Sequence, residues 1–394
     1  MTVPKRNDDD DGIPDAEYVA QLARHLASVP AARRASAKRG AVSIVIRLVP
    51  PPPDEQQQQQ HFSEAPPPSF ATPPPDSPSA LQQALVQYLG DPRVAGLRAQ
   101  VLFIQRAQYA GDPWSGHIGF PGGKQEMQDE GRSRRTAERE TLEELGLGTG
   151  DGMVCLGRLD DVEAATALGR VIIVVSPWVF LQVAPQLQQP PLVLSGEVAS
   201  AHWVDLRQLL QPTVALHTAA SLGVCRGARP WVRWAAGALG LGVLQYPVVC
   251  LAYREAHTVR RVVGAPHGPF ASDTELRLWG LSLVMAGCLV DWCRPPPSSA
   301  RDNSDTTLPL PPPPLAAMWP RLHRVLWADF NLVVSAVFRA TWRRPQWRSP
   351  RRPLAPGYFA SFYNIARVAF PLACALRVYL AYALVRRVAG WLTG

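Results

Sequence analysis

Residues 139–147 read RETLEELGL, and this stretch decides the fold. On an α-helix, residues three and four apart share a side, so Glu143 and Glu144 flank Glu140 within an arc of about 100°. Each like-charge pair costs roughly 0.2–0.5 kcal/mol on a bare helix. An ordinary solvated helix would interleave lysines there, so the pattern points to a cation on that face. Gly146 ends the helix in the manner usual for glycine.

Upstream, residues 115–138 read SGHIGFPGGKQEMQDEGRSRRTAE. Pro121-Gly122-Gly123 neither continues a strand nor starts a regular helix, and its glycines permit positive φ and close backbone approach to a ligand. The unit is therefore strand, glycine-rich loop, acidic helix. Hard oxygen donors of this kind suit Mg²⁺ or Mn²⁺, ions that keep several waters and bridge to substrate phosphates. Phosphate ester or anhydride chemistry follows. A Glu-Glu pair alone is most often a solvated surface; FPGG followed by R-E-x-x-E-E-x-G-L is far more specific.

The stretch GGKQEMQDEGRSRRTAERETLEELGL (122–147) resembles the Nudix box, G-x5-E-x7-R-E-U-x-E-E-x-G-U with U aliphatic. Arg139, Glu140, Glu143, Glu144, Gly146 and Leu147 match it position by position. Gly123 and Arg139 stand 16 residues apart where the box has 14, so the loop is two residues longer. Asp129 keeps its spacing from the glycine but not from the arginine, which leaves the first acidic position open among Asp129, Glu130 and their neighbours. Thr141 replaces an aliphatic residue. The run from Gly116 through Phe120 to Pro121-Gly122-Gly123 is similar to the extended signature of the superfamily's coenzyme A pyrophosphatases, which place an arginine shortly before that glycine. Here Asp112 stands there, with Arg106 or His117 as the substitute contact. The resemblance covers about residues 95–292.

The resemblance implies an α/β/α sandwich with a mixed sheet. The residues agree: AQVLFIQRA (99–107) and VASAHWVDL (198–206) read as strands, RVIIVVSPWVFLQV (170–183) as a strand covered on both faces, and LQQALVQYL (81–89) as an amphipathic helix. The expected organisation is a helix-and-strand region over 1–49, a disordered Pro/Gln-rich linker over 50–79, the hydrolase domain over 80–293, a Pro-rich loop over 294–314 and a helical apolar extension over 315–394.

The resemblance further implies a metal-dependent diphosphate hydrolase. Glu140 and Glu144 would ligate Mg²⁺ or Mn²⁺, with Glu143 as further ligand or water activator and the Gly123 carbonyl as an added ligand. Arg139 pairs with Glu143 at i+4. Gly116, His117, Phe120, Gly122, Lys124 and Arg106 are the substrate-binding candidates, and Glu197 and Glu163 the accessory acids. Best-fit substrate is coenzyme A or an acyl derivative; ADP-ribose or a dinucleotide is the alternative. A rival from another class is a membrane-associated binding or scaffold protein with a weakened core.

Net charge is +8, with 40 basic against 32 acidic residues, an excess that suits anionic small molecules or lipid surfaces. No nucleic-acid-binding motif is visible. The six cysteines form neither C-x-x-C nor zinc-spaced pairs and fit an intracellular, reducing compartment. The first residues, MTVPKRNDDDDGIP, show no secretory signal. Two apolar segments stand out. Residues 234–253 read as a buried, glycine-interrupted core segment rather than a membrane span. Residues 364–387 carry Arg377 mid-segment, at a cost of about 2.5–3.5 kcal/mol for membrane insertion. Membrane contact by 315–394 and packing on the catalytic core are equal readings. Oligomeric state is not legible.

Overall fold

The computed structural model describes residues 13–31, 33–36, 38–51, 68–71, 73, 77–109, 115–148, 152–165, 171–183, 191–220, 230, 234, 243–254, 257–261, 271, 275–293, 321–322, 330–334, 336 and 358–393. Most of the expected 50–79 linker and all of the expected 294–314 loop lie outside the described residues.

In chain order the elements are α1 (Asp15–Ser28), β1 (Arg39–Val49), α2 (Pro78–Leu89), α3 (Pro92–Ala95), β2 (Arg98–Arg106), β3 (Ile118–Gly119), β4 (Gly122–Lys124), α4 (Ser133–Leu145), β5 (Met153–Arg158), β6 (Val162–Ala165), β7 (Val171–Gln182), β8 (Val198–Asp205), α5 (Arg207–Leu210), β9 (Thr213–Ala220), β10 (Val243–Ala252), β11 (Thr258–Arg260), β12 (Glu275–Leu278), α6 (Gly280–Cys293), β13 (Arg321–Leu322) and α7 (Tyr358–Thr393). A 3₁₀ turn, Met127–Asp129, precedes α4.

The chain divides into two units, Met1–Ala164 with Ile172–Ala215 and Val248–Met318, and Ala165–Val171 with Leu216–Pro247 and Trp319–Gly394. The first holds a mixed sheet ordered β11-β8-β2-β1-β7-β5, with β3 on β2, β4 on β1 and β6 on β7. β1 and β7 run parallel, Arg39 opposite Val174 through Arg47 opposite Gln182; β1 and β2 run antiparallel.

Alternation along β1 builds the layers, because successive side chains point to opposite faces. Ala41 and Val45 turn to α4, joining Leu102, Ile104, Ala137, Leu145, Phe180 and Trp203 in one buried cluster. Ile44, Ile46 and Leu48 fill the other face, where α1 packs against β2, β5 and α6. The result is helix on sheet on helix, as the resemblance implied.

The expected boundary at residue 80 leaves out the sheet's central strand. β1 sits inside the sheet, where its backbone N–H and C=O groups find partners on both edges, β2 on one side and β7 on the other. Thr141 departs from the aliphatic pattern without leaving an orphaned hydroxyl. Its Oγ1 lies 2.6 Å from Ser43 Oγ and 2.7 Å from the Ala137 carbonyl.

Within 234–253, the run from Val243 to Ala252 is strand β10. Val248, Val249 and Leu251 are buried, with Val249 opposite Leu278 and Ala252 opposite Glu275 of β12. The second unit described by itself holds the 36-residue α7, which carries Pro371 in its interior.

Candidate active site

β4 and α4 position the site. Gly122 reaches φ 152, a conformation that L side chains avoid. A Cβ there would lie 2.3 Å from the Ala41 carbonyl oxygen and 2.6 Å from Val42 Cα. The glycine therefore lets β4 lie directly on β1, Gly122 opposite Val42 and Lys124 opposite Gly40. Gly123 serves the neighbour above it. A Cβ on Gly123 would sit 2.4 Å from Glu140 Oε1, so the missing side chain makes room for that carboxylate.

α4 then lays its acids over the loop. Glu144 is buried at 5% exposure, and its Oε2 accepts a 2.9 Å bond from the Gly122 N–H. Its carboxyl is pushed up to about 8: burial is the largest cause, the charges of Glu140 and Glu197 add to it, and the Gly122 N–H and Arg106 oppose it. Burial also raises Glu140, with Glu143 and Glu126 adding and Arg139 opposing. Glu143 is exposed and accepts from Arg139 Nη1 at 3.0 Å, the i+4 pair expected.

Arg139 ties together Asp129, Glu140 and Glu143. Its Nε and Nη2 grip both oxygens of Asp129 at 3.0 and 3.1 Å, a bidentate geometry suited to guanidinium and carboxylate. Nη2 also lies 3.0 Å from Glu140 Oε1 and 3.1 Å from the Lys124 carbonyl. This guanidinium holds Asp129 below the usual carboxylate range.

Of the candidates for the first acidic position, Asp129 is the one that pairs with Arg139. It is buried at 2% exposure, accepts from Thr136 Oγ1 at 3.0 Å and caps the 3₁₀ turn through the Glu126 N–H at 2.8 Å. The longer loop is absorbed just after it. Glu130 and Gly131 both take positive φ, 51 and 72, so the chain turns without pulling Asp129 from Arg139. Glu130 faces outward to Arg135 at 2.8 Å.

The substrate-binding candidates surround this core unevenly. Arg106 and Glu197 are near enough for their charges to act on Glu144, and Ala107 N–H donates to the Glu197 carbonyl at 2.8 Å. The His117 ring packs edge-on against Trp279 with centroids 5.0 Å apart, and its carbonyl accepts from Arg106 N–H. Phe120 is buried against Phe103 at 4.9 Å. Gly116 turns at φ 72, and Lys124 is exposed. Glu163 instead pairs with Arg34 at 3.6 Å, while the charge of Glu197 acts on Glu144. Glu126 was not among the sequence candidates, yet its charge acts on Glu140; its place three residues after Gly123 was the available signal.

Among the described residues, no three His, Cys, Asp or Glu side chains form a constellation for a metal ion. The donor chemistry nevertheless fits a divalent cation. Glu140 and Glu144 share one face, burial raises both carboxyls, and each raises or is raised by a further carboxylate. Such a group of hard oxygens is relieved by Mg²⁺ or Mn²⁺.

Residues 94–222 match the family model described as the NUDIX domain. A peroxisomal coenzyme A diphosphatase of Caenorhabditis elegans is 39% identical over 100 residues, 25% of this chain and 38% of that protein. An uncharacterised protein of Schizosaccharomyces pombe is 36% identical over 115 residues, 28% of this chain and 33% of that protein. The chain thus spans about a third of the length of these curated relatives. A solved C. elegans Ap4A hydrolase binary complex is similar at 16% identity and a TM-score of 0.26, over 44% of this chain and 85% of that one. The glycine loop, the Asp129–Arg139 clamp and the glutamate helix all lie within the residues that match the NUDIX domain model, and over part of its length the chain is similar to a coenzyme A diphosphatase.

Proposed function

We propose that this domain hydrolyses a diphosphate linkage, with coenzyme A or an acyl derivative as substrate and 4′-phosphopantetheine (or its acyl form) and adenosine 3′,5′-bisphosphate as products. The observation that carries this reading is Glu144. Its carboxyl is buried, anchored by the Gly122 N–H and held up near 8 in the company of Glu140 and Glu197. That is an environment for a cation and for proton transfer. The likeness to the coenzyme A diphosphatase supports the choice of substrate.

A divalent cation bound by these carboxylates would supply positive charge against the diphosphate oxygens and acidify the attacking water. The chain's own part is positional. Arg139 pairs with Glu140 and Glu143 on its own helix and ties them to Asp129. Gly122 and Gly123 leave the backbone open beneath the carboxylates. Glu143, exposed and within reach of solvent, is the water-orienting group. In this reading Lys124, Arg106 and His117 would contact the phosphates, and the place of action is intracellular.

The test is turnover with Mn²⁺ or Mg²⁺ on coenzyme A, an acyl-coenzyme A, ADP-ribose and a dinucleoside polyphosphate, with products weighed by mass spectrometry. Coenzyme A is expected to lead in kcat/KM. Equal hydrolysis of ADP-ribose would remove the coenzyme A assignment and keep the diphosphatase. No turnover on the whole panel would favour the scaffold reading.

A further inference from the structure

We propose that α7 spans a lipid bilayer and fixes the chain to a membrane. Its segment Val368–Ala389 is 22 residues long and apolar enough to cross one. At 1.5 Å per residue that is about 33 Å, against a hydrocarbon core of about 30 Å.

Length alone also fits the core helix of a soluble protein, but burial removes that reading. None of the segment's most apolar window is buried. Val368, Leu372, Leu376, Val378, Leu380 and Leu384 are each more than half exposed. Their directions decide what covers them. At about 100° per residue, these six with Tyr379, Tyr382, Val385 and Val388 fall around the full circle of the helix. A helix lying on a membrane surface, or docking one face on a protein, carries one apolar stripe and a polar remainder. A helix apolar on every side needs an apolar medium on every side, and a bilayer provides it.

The charges agree. Arg367 precedes the segment and Arg386-Arg387 lie in its last turn, where long basic side chains reach anionic headgroups. Arg377 is the one charge near the middle, set against eight Val, Leu and Phe side chains between residues 368 and 385. Pro371 sits near one end, a position tolerated in spanning helices.

The full chain tests this by co-translational insertion into sealed vesicles of phosphatidylcholine and phosphatidylserine, followed by flotation, alkaline carbonate extraction and protease treatment. The chain is expected to float, to resist carbonate, and to keep an epitope placed after Gly394 on the opposite side from Met1. Leu376→Arg combined with Leu380→Arg should lower the floated fraction at least tenfold, with the first unit's near-ultraviolet circular dichroism unchanged. Full extraction by carbonate would overturn the proposal. So would both ends of the chain on one side of the vesicle, or a homogeneous detergent-free oligomer that leaves lipid aside, since copies of α7 would then cover one another.

Discussion

Glu144 Oε2 accepts its hydrogen bond from the Gly122 N–H across 22 residues of chain, so the acidic helix and the glycine loop are one object. The loop fixes the carboxylate, and the carboxylate in turn satisfies a loop amide.

Burial of this carboxyl sets a pH dependence, which the Gly122 bond only moderates. The Glu144 carboxyl has an ordinary value of 4.5 and is pushed up to about 8 in the fold. The folded state therefore holds the proton more tightly than the unfolded state. Its stabilising contribution is full below about 4.5 and is lost as pH climbs towards 8. The metal-free protein should melt at progressively lower temperature across that window, and Glu144→Gln should flatten the decline. Added Mg²⁺ should raise the melting temperature more at pH 8 than at pH 5, because binding displaces the proton. A metal-free melting temperature that rises with pH would contradict this.

Glu144→Gln should also lower kcat by about 10²-fold or more, the scale of a lost acid-base group, while circular dichroism stays native. Glu143→Gln removes an exposed group tied only to Arg139 among the bonds described. Its fold should be unaffected and its loss confined to kcat, with KM near that of the parent. Stopped assays with Mn²⁺ over a substrate series read both.

Gly122→Ala and Gly123→Ala should part company. At 122 the new methyl meets fixed backbone, Ala41 O and Val42 Cα, at a strained φ, and urea unfolding should show a loss of about 2–4 kcal/mol. At 123 it meets only the movable end of Glu140. Stability there should change by less than about 1 kcal/mol, yet turnover should collapse because the carboxylate has been pushed aside. Equal destabilisation by the two would show that Gly123 is structural.

Asp129→Asn leaves the Arg139 guanidinium without its bidentate acceptor. The loss should be about 2–3 kcal/mol, less than for a fully buried pair because Arg139 stays partly solvated. Asp129 is depressed in the fold, so its contribution is present above the ordinary value of 3.8 and lost as pH falls below it. The difference between parent and variant should therefore shrink in acid, as chemical unfolding at pH 7 and pH 3 would register.

Local pattern carried much of this site into the sequence. The helix over 133–145, its left-handed end at Gly146 (φ 67) and the Arg139–Glu143 pair all depend on residues within a few positions of one another. The pairing of Arg139 with Asp129 was not legible in the same way, because spacing alone cannot say how an extended loop turns; the chain turns at Glu130, which has positive φ. Nor was the seat of Thr141 legible, since its partner Ser43 lies 98 residues earlier, on strand β1. The place of β1 was hidden for the same reason. A strand shows its alternation locally, but its neighbours in the sheet are chosen by distant segments.

That placement of β1 bears on how the protein is born. β1 leaves the ribosome before its parallel partner β7, which follows about 135 residues later. At about 5–20 residues per second, one edge of an apolar central strand waits roughly 7–27 s for its pairing. Until then that open edge can template association with other nascent chains. The catalytic loop rests on the same strand through Gly122 and Val42. Synthesis speed and chaperone supply therefore govern how many chains ever reach the state in which the glutamates meet their loop.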